Sequence, residues 1–459
     1  MHTEATPVEG GHELRRVLAA RHITMISIGG IMGAGLFVGS SVTINAAGPA
    51  VVLSYLMAGI LVLLVMRMLG EMAVALPRVN TFSDFARKGI GEWGGFVVGW
   101  LYWYFWIVVV PVEAIAGAQL LQLWIHLPAW VLGVGLMAIM TGVNLLSARS
   151  YGEFEFWFAL IKVTAVVAFI ILAAAWAFGL TSSGVPTWSN LVNGGGFAPR
   201  GMVAVLAAVT SVFFAIVGAE ITVVAAAESR EPVRAVARMS TAVMTRILIF
   251  YVGSVLLIVT VVPWQQIVPG KSPFTAAMNA MHFQWAGTAM TLIILTAVLS
   301  CLNSAFYVTS RVLFALAAKG DAPAALVKLN RRGVPIRSVL MGSAAGLAGI
   351  AAATISPQGV FAFLVNASGA LVLFVYLLVA VAQIRLRRTR SDAEQRSLPV
   401  QMWWFPVASY VAIGGMAVVL VAMACSPALA SQFYVSAATL ALTLAAAWVH
   451  SRRRRAAAS

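Results

Sequence analysis

The sequence predicts an all-α integral membrane protein of twelve transmembrane helices, and three observations carry that prediction. Of its 459 residues, 61% are hydrophobic and only 10% charged, whereas a soluble domain carries roughly a quarter of its residues as charge. Apolar stretches of about 20 residues, the length that crosses a bilayer, recur along the chain. The basic residues collect in alternate connections between those stretches.

The apolar runs lie near 22–43, 48–76, 94–120, 130–147, 154–178, 202–227, 242–262, 288–314, 338–356, 359–382, 402–424 and 430–449. With the tail 1–21 placed in the cytoplasm, the inside connections hold Arg15, Arg16 and Arg21, then Arg78, Arg87 and Lys88, then Arg149, then Arg230, Arg234 and Arg238. Lys319 to Arg337, the basic loop 383–401 and the tail 450–459 continue the series, while outside connections hold only Arg200 and Lys271. This is the positive-inside pattern, and it puts both termini of an inner-membrane protein with an even number of spans in the cytoplasm. It also accounts for the net charge of +15 without a nucleic-acid partner. The first 20 residues are polar, so no removable signal peptide is expected. Cys301 and Cys425 fall in no CxxC or His/Cys spacing, so neither a disulfide nor a metal or other cofactor is expected.

Span 1 contains Gly33, Ala34 and Gly35 in a row near its middle, followed by Gly39. Glycine in a membrane helix either permits close packing or marks a local break whose bare backbone groups bind a ligand; the consecutive mid-span placement favours a break. Span 6 supplies a counterpart in Phe214, Ala215, Ile216, Gly218 and Glu220. Each break falls in the first helix of a five-helix set, 22–178 and 202–382. If the two sets are inverted repeats, the breaks meet at the bilayer midplane, where substrate and coupling ion are held. Free N–H groups at Ala34 and Gly35 suit a carboxylate, and so an amino acid.

Charges within the spans need a partner or a role. Arg67 and Glu71 stand four apart, the spacing of a helical ion pair. Glu113, just after Pro111, either faces a cavity or caps a proline kink. Lys162 lies too deep in span 5 to reach water, where its ammonium either stands in for a bound cation and exchanges a proton or forms a structural ion pair. Glu220 beside the span 6 break is the carboxylate best placed for proton coupling or amine contact, and Glu228 at the inner end gates or anchors. No HExxH, GxSxG or paired intramembrane aspartates point to an enzyme, and no filter or charged ring to a channel.

The motifs Arg21-His22-Ile23-Thr24-Met25 with Gly33 to Gly39, Tyr151 to Trp157 with Lys162, Ala225 to Ser229, and Ser300-Cys301-Leu302-Asn303-Ser304-Ala305 followed by Gly320-Asp321-Ala322-Pro323 resemble the amino acid permeases of the amino acid, polyamine and organocation superfamily. Within it, Leu36 to Ser41, Met66 to Leu69 and Gly99 to Trp103 are similar to bacterial 4-aminobutyrate permeases. The resemblance implies a leucine-transporter-like fold of ten core helices plus helices 11 and 12 (402–449). It further implies proton symport with Lys162 in the place a sodium ion takes elsewhere, and a site that adds Asn303 and Ser304. The family's span 6 break usually carries an aromatic lid where this chain has Ile216, which leaves the substrate open among ω-amino, proline-like, aromatic and basic amino acids. An exchanger on the same fold, or a sensor that moves nothing, are the alternatives.

Overall fold

A computed structural model describes residues 32–76, 79, 81–146, 148–181, 185–218, 247–330 and 333–458. Every regular element among them is helical. Among the described residues, eight stretches are long and apolar enough to cross a membrane, and shorter apolar helices lie at Ala129–Leu145, Gly201–Ile216 and Ile247–Val261.

Where span 1 was expected, Met32 and Gly33 are not helical; α1 (Ala34–Phe37) starts after Gly33, and α2 (Ser40–Ala47) resumes beyond an irregular turn. At that turn the Gly39 N–H reaches back five residues to the Ala34 carbonyl at 2.6 Å, a π-type bond that loosens the helix. Gly48, at φ +67°, turns the chain into α3 (Val51–Ala75).

The next connection, expected to be a loop, contains α4 (Phe82–Ile90). Thr81 caps it by accepting the Asp84 N–H, Asp84 lies in its first turn, and Arg87 and Lys88 lie in its last, which complements the helix dipole. Phe82, Phe85, Ala86 and Ile90 make its buried face.

The chain continues as α5 (Glu92–Leu121), α6 (Ala129–Leu146), α7 (Ala148–Ala177) and α8 (Gly201–Ile216). A π-turn at Ile247–Gly253 leads into α9 (Ser254–Val261). Between it and α11 (Gln284–Ala318) stands an unexpected short helix, α10 (Pro273–Ala280), capped by Ser272. Its fully buried Phe274 packs with tilted rings against Phe37 of α1 at 5.0 Å and Phe169 of α7 at 4.7 Å. The remaining helices are α12 (Ile336–Ala353), α13 (Pro357–Arg388), α14 (Asp392–Arg396), α15 (Val407–Cys425) and α16 (Ala430–Ala458). Ser391 and Glu394 form a capping box on α14, and the Ser391 N–H and hydroxyl hold the Glu394 carboxyl below its usual range.

Helices α5 and α13 are the interior of the bundle: 78% of the most apolar window of each is buried, against 11% for α16, which turns its apolar side outward. Small residues let the interior helices approach closely. A Cβ built on Gly35 would lie 2.7 Å from Ala215 Cα, so α1 and α8 touch backbone to backbone.

The ion pair expected between Arg67 and Glu71 is not formed. Glu71, 1% exposed, accepts from Arg387 at 2.7 Å, from Gln383 at 3.0 Å and from the Met402 N–H at 2.5 Å. Arg67 instead donates to the Gln401 carbonyl at 2.7 Å and lies over the Trp403 ring. Glu71 points inward to α13, from which both Arg387 and Gln383 reach it. At the same end of α5 as α4, Asp321 (1% exposed on its side chain) pairs with Arg87, while His450 and Arg454 of α16 stand 3.5 and 3.6 Å from it. The last helix is thereby fastened to the connections after α3 and α11.

Candidate functional site

The irregular start of α1 and the end of α8 lie side by side. Gly33 holds a non-helical φ of −122° and ψ of −150°, and the first amide of α1, that of Ala34, donates to a side chain from another helix. Helix α8 stops at Ile216; Val217 is extended at ψ 147°, and Gly218 adopts φ +109°, a conformation that only glycine takes without strain. Glu220 and Glu228 lie outside the described residues.

Glu113 of α5 meets the free amide end. It is 1% exposed, and the Ala34 N–H points between its carboxylate oxygens at 3.0 Å from each. The Cys301 thiol of α11 also hydrogen-bonds it. Glu113 therefore faces a cavity, which resolves the two readings of its position. That cavity is lined by Gly35, Phe105, Trp106, Val109, Glu113, Phe214, Val217 and Cys301. It encloses about 10 Å³, room for about one water. Phe105 and Phe214 close one side with ring centroids 6.2 Å apart. A Cβ on Gly33 would come within 2.6 Å of Cys301 Sγ and 2.7 Å of Glu113 Oε1, so only glycine leaves space there. A larger cavity of about 180 Å³ lies elsewhere, lined by Ile115, Gln119, Trp130, Ile350 and Thr354 among others. None of its walls is charged and neither helix break borders it, so it is the weaker candidate.

A second polar cluster lies behind the first. Lys162 of α7 is fully buried, donates to Ser300 Oγ at 2.9 Å and stands 3.6 Å from Glu155. Ser300 in turn donates to both Glu155 oxygens at 2.7 and 2.6 Å. Glu155 and Lys162 are seven residues apart, two helical turns, and so share one face of α7. Ser300 and Cys301 are neighbours on α11, pointing one to the lysine cluster and the other to Glu113. The Lys162 charge is felt at Glu113.

Of the other expected site residues, Phe214 and Gly35 line the cavity and Ala215 packs on Gly35. Ile216 is 1% exposed but does not line this cavity, whereas its neighbour Val217 does. Asn303, 5% exposed, accepts from Asn144 Nδ2 of α6 at 2.8 Å, and Ser304 is 4% exposed; neither lines the cavity. Sequence reasoning did not single out Glu155, Ser300, Cys301, Phe105 or Trp106. For Glu155 a signal existed, since an acid two turns before a buried lysine is its natural counter-ion. Ser300 and Cys301 had only their place in the span 8 motif, and Phe105 and Trp106 had none, because their roles depend on how α5 and α11 are rotated.

Residues 22–458 match the amino acid permease family. A gamma-aminobutyric acid permease of Bacillus subtilis is 41% identical over 96% of this chain and 94% of its own length. A gamma-aminobutyric acid permease of Escherichia coli is 44% identical over 91% and 90%. Among solved structures, a manganese transporter of Eremococcus coleocola superposes with a TM-score of 0.58 at 14% identity, covering 98% of this chain and 97% of that one; this likeness bears on the fold alone. By the extent of the family match and of both relatives, the chain belongs to the amino acid permease family.

Proposed function

We propose that this protein imports 4-aminobutyrate or a related ω-amino acid by proton symport, alternating access between the two sides of the membrane. What carries the substrate class is the pair of relatives above 40% identity that bear the name gamma-aminobutyric acid permease. The proposed arrangement is twelve crossings, two inverted five-helix repeats over 22–178 and 202–382, then two further helices, with both termini cytoplasmic. The likeness in fold to a transporter across nearly the whole chain supports a shared core.

In this reading the substrate carboxylate takes backbone N–H groups at the start of α1, and Gly33 and Gly35 keep that approach open. The amine lies toward the end of α8 and Glu220. Phe105, Trp106 and Phe214 give the amine the aromatic faces that Ile216 does not. Lys162, held by Ser300 and Glu155, is the resident positive charge, so no metal ion or other cofactor is called for. The present cavity must widen to admit any amino acid, and rocking of the two broken helices and their neighbours against the rest does this. One net charge entering gains about 2.3 kcal/mol per 100 mV, about fifty-fold accumulation at 1.36 kcal/mol per decade.

The test is uptake of labelled 4-aminobutyrate into proteoliposomes under an imposed inward proton gradient, with proline, β-alanine, lysine and phenylalanine as competitors. Accumulation that an uncoupler abolishes and ω-amino acids compete best is the expected result. Uptake seen only in vesicles preloaded with amino acid would make the protein an exchanger instead.

A further inference from the structure

Both carboxylate oxygens of the buried Glu113 lie 3.0 Å from the Ala34 amide. A carboxyl group thus already occupies the backbone donor that the symport reading gives to the substrate. The groups acting on Glu113 among the described residues are this amide from α1, the Cys301 thiol from α11 and the Lys162 ammonium from α7; the described part of α8 adds no titratable side chain to the cavity. In the same wall Trp106, 3% exposed, has an indole Nε1 with no hydrogen-bond partner among the described residues. A buried donor without an acceptor is unfavourable, so the wall is suited to receive one more acceptor than it holds. Two carboxylates cannot share it as it stands, because like charges at contact distance repel strongly away from water.

Resting on that symport reading, we propose that Glu113 is the coupling carboxyl: the substrate's carboxylate takes the Ala34 N–H only when Glu113 is protonated. A proton from outside adds to a Glu113 oxygen, which neutralises the group and weakens its claim on the amide. The new O–H can donate to the incoming carboxylate, while Trp106 Nε1 supplies a second donor. On the inner side the proton leaves for water, the Glu113 carboxylate re-forms on the Ala34 amide, and the substrate is displaced. One proton enters and one leaves with each substrate, and no bond other than O–H is made or broken. The empty carrier returns with Glu113 charged and satisfied by the amide, which suppresses proton leak.

The full-length protein in proteoliposomes, with labelled 4-aminobutyrate, tests this through E113Q and E113D. In the wild type, affinity falls by up to about tenfold per pH unit as Glu113 loses its proton, the slope of one linked proton. E113Q mimics the protonated form: its affinity is flat with pH and it exchanges label across the membrane, yet it does not accumulate label under a proton gradient. E113D retains a pH slope. Its shorter carboxylate competes less for Ala34, so it binds substrate several-fold tighter than the wild type at pH 8, a readout that stands even if E113Q does not fold. Gradient-driven accumulation by E113Q, a retained slope in E113Q, a folded E113Q that neither binds nor exchanges, or E113D binding no tighter at pH 8 would each overturn the proposal. Wild-type protein without gradient-driven accumulation removes the symport reading itself, whereas accumulation by both wild type and E113Q removes only the role of Glu113.

Discussion

Replacing Glu155 with glutamine keeps the shape of the side chain and removes the one carboxylate paired with Lys162 among the described residues. The two charges stand 3.6 Å apart and both side chains are fully buried. At an effective dielectric of about 20 their attraction is about 4–5 kcal/mol, and removing one member of such a pair costs about 3–5 kcal/mol. Ser300, which now accepts from Lys162 and donates to Glu155, would keep only part of that network. The assay is a double-mutant cycle of Glu155→Gln and Lys162→Met, read as reversible unfolding in detergent together with gradient-driven uptake. Each single substitution is expected to cost about 3 kcal/mol or more, and the double variant to recover at least about 2 kcal/mol of the sum, because both members of the buried pair are then neutral. Both singles and the double lose accumulation. Additive losses, with a coupling energy under about 0.5 kcal/mol, would refute the view that these groups form one electrostatic unit.

Trp106→Phe keeps the ring and removes the unpartnered indole donor; substrate affinity in binding assays should fall about five- to fifty-fold, the value of one buried hydrogen bond, with little change in unfolding midpoint. Gly35→Ala places a methyl 2.7 Å from Ala215 Cα, an overpacking cost of about 1–3 kcal/mol that should abolish uptake while the protein still elutes as a folded species. Asp321→Asn removes the carboxylate shared by Arg87 and approached by His450 and Arg454. The tail of α16 should then be cut by trypsin at Arg452 to Arg454 several-fold faster than in the wild type, and an unchanged rate would show that the tail is held by other contacts.

Much of the fold was legible in the sequence because membrane insertion is written in local composition. Runs of apolar residues mark where helices lie whatever their neighbours do, since backbone groups in lipid must be satisfied within the segment. Residues of irregular backbone carry a similar local signature: Gly33 stands outside α1 and Gly218 takes a positive φ. A lysine as deep as Lys162 stands out because lipid gives it no water to reach. The short helices α4 and α10 were missed because their periodicity is brief and their caps, Thr81 and Ser272, read equally well as loop residues.

By itself, then, the sequence determined the helical class, the apolar segments, and the glycine-rich positions where regular helix is costly, all matters of energetics between a residue and its immediate chain. Only the tertiary structure decided partnership. Glu71 and Arg67 sit at ideal spacing on one helix and yet Glu71 pairs with Arg387, more than three hundred residues along. Glu113 could cap a kink or face a cavity until the rotation of α5 put it on the Ala34 amide. Ser300 and Cys301, adjacent in sequence, serve different clusters because a helix turns about 100° per residue. Periodicity reports which residues share a face, while the partner that meets that face is set by how the helices cross and slide against one another, and those terms arise only from packing across the whole bundle.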